Sequence, residues 1–282
     1  MPKKASPKKK KKFDEFFVVN LLEKLVDIIK KTLSSKVLDF SVSWLKKIGH
    51  FGLIAAAAIG LLFSFIYAIR INSFYAFLFG IGWVALVFVI QYTAYKFSDA
   101  GEKLVKNNPT ALSSKAFLDC FGFLSALGGI IIFIVSLINA VRGAGWETFF
   151  WGLVVFILFE FFALVAFNPQ TASTDIIKEA SAGQEAIGII VFFLKGFMRL
   201  VPIIFGIGVA VGTIILFIDF IGVFGIRAQS VWGSGKNTAF MIILAGLLPF
   251  FSYIIFVIYY LGIDVIRAIL AIPGKLDKLK KS

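Results

Sequence analysis

Six apolar runs, each close to the thickness of a bilayer's hydrocarbon core, constrain this chain more than any other feature. They cover 51–70, 74–96, 117–141, 146–167, 201–222 and 239–262. A crossing helix needs about 20 apolar residues, because each rises about 1.5 Å through a core about 30 Å thick. Inside lipid every backbone N–H and C=O must be bonded within its own segment, so such runs read as helices. Composition points the same way: 59% of the 282 residues are hydrophobic, 16% are charged, and 34 are Phe. Soluble domains hold about 45–50% apolar and about 25% charged residues. The expected fold class is therefore all-α, a polytopic transmembrane bundle of six spans.

The breaks between runs set the topology. Arg70–Ser73 and Arg142–Gly145 are short enough to make the first four spans two tight hairpins, and a longer break, about 223–238, joins the last two. Six crossings put both termini on one side. Of the 29 Lys and Arg, 25 fall on that side, leaving Arg70, Arg142, Arg227 and Lys236 on the other. The positive-inside bias then predicts both termini in the cytoplasm. Glu23, Lys24, Asp27, Lys30 and Lys31 interrupt the only candidate for a secretory signal core, which needs about 7–15 unbroken apolar residues.

Self-comparison suggests three tandem units. IAAAAIGLLFSFIYAIR (54–70) aligns with FLSALGGIIIFIVSLINAVR (123–142), and EKLVK (102–106) with TDIIK (174–178), each after a hairpin. A fainter third copy has GIDVIR (262–267) in the matching place. Each unit is expected to be two spans followed by a short amphipathic cytoplasmic helix. The organisation this predicts is a lysine-rich tail over 1–12, an amphipathic interfacial region over 13–48 and a membrane domain over 49–262. Its units run near 49–115, 116–186 and 187–270, and a basic amphipathic tail follows over 263–282. Within each unit the first helix carries a small-xxx-small step: Ala56/Gly60, Ser125/Gly129 and Gly208/Gly212. Lipid supplies no hydrophobic drive between helices, so close approach through small residues must supply contact instead. The steps therefore predict that the first, third and fifth spans meet at the centre, with the Phe-rich second, fourth and sixth outside.

The basic side carries its own pattern. Phe17, Leu21, Leu25, Ile28 and Ile29 share one helical stripe, with Glu23, Lys24, Asp27, Lys30, Lys31 and Ser34 facing away. Leu38, Val42, Leu45 and Trp44 continue it, as a helix lying apolar face down in the interface or against a partner helix. Ahead of it Lys8, Lys9, Lys10, Lys11 and Lys12 are headgroup candidates, since each lysine near anionic lipid is worth about 1 kcal/mol. Lys195 and Arg199, just before Pro202, read as an interfacial helix snorkelling its charges toward the same headgroups and then kinking into the fifth span.

Few residues carry chemistry. Glu160 lies near the middle of its span, where an ionised carboxylate costs about 2.5–3.5 kcal/mol on insertion scales. Gln91 is its counterpart in the first unit. A structural hydrogen bond between helices explains both; a proton or cation site and a contact to another subunit are the alternatives. Asp219 and Asp119 lie near span ends and suit solvated or capping roles. GSGKNT (233–238) resembles a phosphate loop, but Ser230 and Asn237 stand where the pattern needs Gly and Ser/Thr. His50 and Cys120 have no visible partners, and a single His and a single Cys exclude a multi-His metal centre and a disulfide framework. No enzyme activity, cofactor, metal or nucleic-acid partner is expected. The lipid bilayer, with anionic lipid at the cytoplasmic face, is the expected partner, together with a protein partner or further copies of the chain. The first functional expectation is a non-enzymatic scaffold or subunit of a membrane assembly. A channel or transporter using Glu160, and a membrane-shaping protein acting through its basic N-terminus, are the alternatives.

Overall fold

The computed structural model describes residues 17–32, 34–225 and 228–280, so the lysine tail with Lys8–Lys12 lies outside the described residues. Seven helices make up nearly all of it: α1 (Phe17–Thr32), α2 (Ser35–Ile71), α3 (Phe74–Asn107), α4 (Lys115–Asn139), α5 (Trp146–Phe167), α6 (Ala182–Gly222) and α7 (Ala228–Lys280). Six of them, α2 to α7, are long and apolar enough to cross a membrane. The protein is accordingly a multi-pass integral membrane protein. Two short strands, β1 (Thr110–Leu112) and β2 (Thr174–Ile176), pair in parallel with Thr110 opposite Thr174.

The turns follow from local chemistry. Between α2 and α3, Asn72 takes φ +52°, a left-handed conformation its short polar side chain tolerates. Between α4 and α5 a wide helical turn over Ala140–Ala144 ends through Gly143 (φ +102°) and Gly145 (φ +86°), where a Cβ would be strained.

α2, α3, α6 and α7 form a four-helix body: α2 packs on α3 and α6, and α7 packs on α6 and α3. Its core is Leu53, Ala56, Val87, Ile90, Phe205, Val209 and Ile242, all essentially inaccessible. Trp83 Nε1 donates to the Ala56 carbonyl at 2.9 Å inside it. The α4–α5 hairpin stands beside this body. Its attachment runs through one end only, where Leu118, Leu164, Val165 and Ala166 join Leu38 of α2 and Phe192 of α6. Phe121 adds edge-on ring contacts to Phe192 and Phe193.

The expected meeting of the first, third and fifth spans holds for the first and fifth, since α2 packs on α6, and is corrected for the third, because α4 packs with α5 beside the body. The glycines of the small-xxx-small steps face the second helix of their own pair. A Cβ on Gly60 would fall 2.2 Å from Trp83 Nε1, on Gly129 3.0 Å from Phe159 Cβ, and on Gly212 2.6 Å from Ile242 Cγ1. Gly208 likewise abuts Ala245. Short turns hold each pair together first, and the large aromatic and branched residues of the second helix fill the small-residue groove.

Four further expectations change. The segment 35–47 does not lie flat; α2 runs unbroken from Ser35, because Leu38 is completely buried between the body and the α4–α5 attachment. Residues 187–200 are no separate interfacial helix, since α6 continues through Pro202. The outer break shrinks because α7 already begins at Ala228. No amphipathic helix follows the first two hairpins: EKLVK is the end of α3, and TDIIK runs through β2. The physical reason is the same in both places. Asn108 and Asn168 bond back to the Leu104 and Leu164 carbonyls at 2.8 and 2.9 Å, and Pro109 and Pro169 follow. Proline lacks the N–H a helix needs and pushes the residue before it toward extended backbone.

Aromatic side chains mark both ends of the molecule. Trp44, Tyr92, Tyr95 and Tyr259 are exposed at the end carrying α3's C-terminus, and Tyr75, Trp146 and Trp151 at the turn end. Amphipathic rings favour the headgroup level at each membrane surface.

Candidate functional site

The polar side chains converge where the connectors after α3 and α5 meet the first half of α6. Lys195 has 0% exposure, and its Nζ donates to Thr110 Oγ1 at 2.7 Å and to the Ser173 carbonyl at 2.9 Å. One turn further, Arg199 Nε donates to the Thr171 carbonyl at 2.6 Å. At the start of the helix Glu185 accepts from Ser113 N–H (2.7 Å), Ser113 Oγ (2.7 Å) and Ser114 N–H (3.0 Å). Ser181 and Gln184 close a reciprocal capping box there, which satisfies donors that would otherwise be orphaned at the helix start.

Lys195 is thus no snorkelling lysine. It points inward because the β1–β2 junction presents the Thr110 hydroxyl and the Ser173 carbonyl, which also accepts from Thr110 N–H at 3.0 Å. No carboxylate lies within 4 Å of it among the described residues. A buried charge answered by neutral oxygens alone is tolerated rather than stabilising. It ties the connectors of two hairpins to a third helix.

The other expected residues are dispersed. Glu160 lies against Gly129 across the α4–α5 hairpin, and its Oε1 is buried without a hydrogen-bond partner. Gln91 Nε2 donates to the His50 carbonyl at 3.4 Å, bridging α3 to α2. Asp219 accepts from Ser234 Oγ and Thr238 Oγ1, both at 2.9 Å, so it joins the end of α6 to the start of α7. The GSGKNT stretch is therefore helical surface, with Gly235 packed on Phe63. Asp119 pairs with Lys30 at 2.7 Å and pins α1 to α4. His50 lies edge-on to Tyr95 and Phe205, and Cys120 is exposed. At the turn end, Arg70 donates to the Val223, Phe224 and Gly225 carbonyls and closes the C-terminus of α6.

Thr110, Ser113, Ser114, Thr171, Ser173 and Glu185 were not singled out by sequence reasoning. A signal was present: Asn-Pro followed within two residues by Thr-Ala occurs after both hairpins, at 108–111 and 168–172. Among the described residues no three His, Cys, Asp or Glu side chains come together to hold a metal ion. Comparison with protein-family models, with curated proteins and with solved structures finds no match for this chain.

Proposed function

We propose that this membrane protein is a non-enzymatic scaffold or assembly subunit, oriented with both termini in the cytoplasm. One observation carries it: the α4–α5 hairpin is fastened to the body at one end and leaves most of its length as a lateral face. Ile130, Ile131, Ile134, Val135 and Ile138 of α4 are exposed along that face, as are Phe150 and Trp151 of α5. Glu160 sits within the hairpin with one carboxylate oxygen unanswered, and an intramembrane carboxylate needs a donor or a proton. The occupant that fits is a membrane-spanning helix, apolar along its contact, with a hydrogen-bond donor for the accessible part of the Glu160 carboxylate, whose Oε1 is itself enclosed between α4 and α5.

Tandem duplication of the hairpin is part of this proposal. In support, a Cβ on Gly80 would press on Ser64 and one on Gly152 on Ser136, two contacts related by the same 72-residue shift. The Asn-Pro ends of α3 and α5 recur too, at a 60-residue shift, because α5 is twelve residues shorter than α3.

Extraction in native lipid discs followed by mass determination tests the proposal. A particle heavier than the 31.1 kDa chain, reduced to the single chain by Glu160→Leu, is the expected result. A single chain with no companion, together with ion flux in liposomes that Glu160→Gln abolishes, would overturn it in favour of transport.

A further inference from the structure

A second polar feature lies on the opposite side of Arg199 from the Lys195 junction. A vestibule of about 550 Å³ opens between α2, the end of α3 and α6, with Asp39, Ser43, Lys46, Glu102, Lys106 and Arg199 on its walls. Behind it is a void of about 30 Å³ that shares Lys46, Glu102 and Arg199 and is floored by Ser98, Pro202 and Pro249.

Three cations face two carboxylates there, and the Glu102 charge also acts on Lys46 and Arg199. Glu102 is taken by Lys106 at 2.8 Å. Asp39, Ser43 and Lys46 share one face of α2, but Asp39 is seven residues from Lys46, about 10 Å along the axis at about 1.5 Å per residue. Neither Lys46 nor Arg199 has a carboxylate within 4 Å among the described residues. Arg199 uses Nε on the Thr171 carbonyl, and no described residue accepts from its two Nη groups. Ser98 is 7% exposed, lines the same void, and its Oγ has no hydrogen-bond partner. A buried hydroxyl without a partner is an unmet demand. A planar guanidinium fork and an ammonium facing the vestibule, with the Ser98 hydroxyl in the void behind them, match an oxyanion with several acceptor oxygens. The depth agrees too, because exposed Trp44, Tyr92 and Tyr95 put this end of α2 and α3 at headgroup level.

We infer that the vestibule binds a phosphate group, held by Arg199 and Lys46. The phosphate belongs either to an anionic lipid reaching in from the bilayer or to a soluble phosphate ester from the aqueous side. The site is independent of any partner on the α4–α5 hairpin.

The test uses the full chain in phosphatidylcholine nanodiscs. One arm adds phosphatidylglycerol as a minor lipid and counts bound lipids by native mass spectrometry; the other titrates glycerol 3-phosphate and inorganic phosphate and follows the thermal midpoint. Retention of one phosphatidylglycerol per chain identifies the lipid source, and saturable stabilisation by a soluble phosphate identifies the other. Lys46→Gln is the mildest variant, since among the described residues that side chain has no hydrogen bond or ion pair, only the Tyr95 ring at 6.0 Å, and it is expected to weaken binding about tenfold, the scale of one charge-assisted contact. Arg199→Gln should weaken it further, and Lys103→Gln, on the neighbouring exposed turn, not at all. Binding of neither probe, or binding that Lys46→Gln and Arg199→Gln leave unchanged, would overturn the inference.

Discussion

Gly60 sets how near α2 and α3 approach, and the indole of Trp83 occupies the space a methyl group would need. Gly60→Ala should displace that ring and break its bond to the Ala56 carbonyl, costing about 1–3 kcal/mol as an overpacked core does. Gly82 has nothing within 4 Å of its would-be Cβ, so Gly82→Ala is expected to leave stability unchanged or raise it by about 0.5–1 kcal/mol through helix propensity. Thermal unfolding in nanodiscs compares the two; equal losses would mean that Trp83 is not the determinant. Lys195 makes an opposite point. Lys195→Met keeps the packed stem and removes a buried charge whose bonded partners are neutral, so its midpoint should equal or exceed that of the wild type. Lys195→Ala, which also opens a cavity, should fall below it. A large loss in both would show that the charge itself holds the junction.

At the scale of elements, helix ends do more than helix faces to set this fold. Asn108-Pro109 and Asn168-Pro169 stop α3 and α5 and turn their connectors toward each other, where β1 and β2 pair and α6 fastens them. Glu185 extends this logic across the chain, because a side chain from α6 serves the N-terminal turn of α4. Losing a cap costs about 1 kcal/mol, so Glu185→Ala should speed amide exchange over residues 113–118 about fivefold and leave the start of α6 protected by its own capping box. Unchanged exchange there would assign the stability of that turn to Ser114 alone, whose Oγ accepts from Phe117 N–H at 3.1 Å. The Asn-Pro repeats were visible in the sequence. Their meaning was not, because only the parallel pairing of the two connectors turns a pair of helix stops into one junction.

For the whole molecule, the arrangement is a four-helix body with a side hairpin rather than a threefold ring. The proposed orientation, with both termini in the cytoplasm, rests on charge, since the spans read from the sequence put 25 of 29 basic residues on the side of the termini. Ser73→Cys in a Cys120→Ala background should react with a membrane-impermeant maleimide added outside intact cells. Reaction only after the membrane is opened would invert the topology. The spans, their number and the sites of the tight turns were all legible from apolar runs and the residues that interrupt them, since lipid demands a continuous apolar length whatever the packing. So was the presence of small residues at helix contacts. Which helix fills each groove was not, because a small-xxx-small step states that something comes close without naming it, and short turns give the answer to the nearest helix. The fates of Lys195 and Arg199 were hidden for a similar reason. One helical turn apart on a hydrophobic helix, they read alike as snorkelling charges, yet the tertiary structure turns one into a buried tie between connectors and sets the other at the wall of an open vestibule. Sequence alone thus determined solvent, length and crossing number, which depend on local transfer free energy; the tertiary structure decided partners, burial and sites, which depend on which distant acceptors come within hydrogen-bond reach.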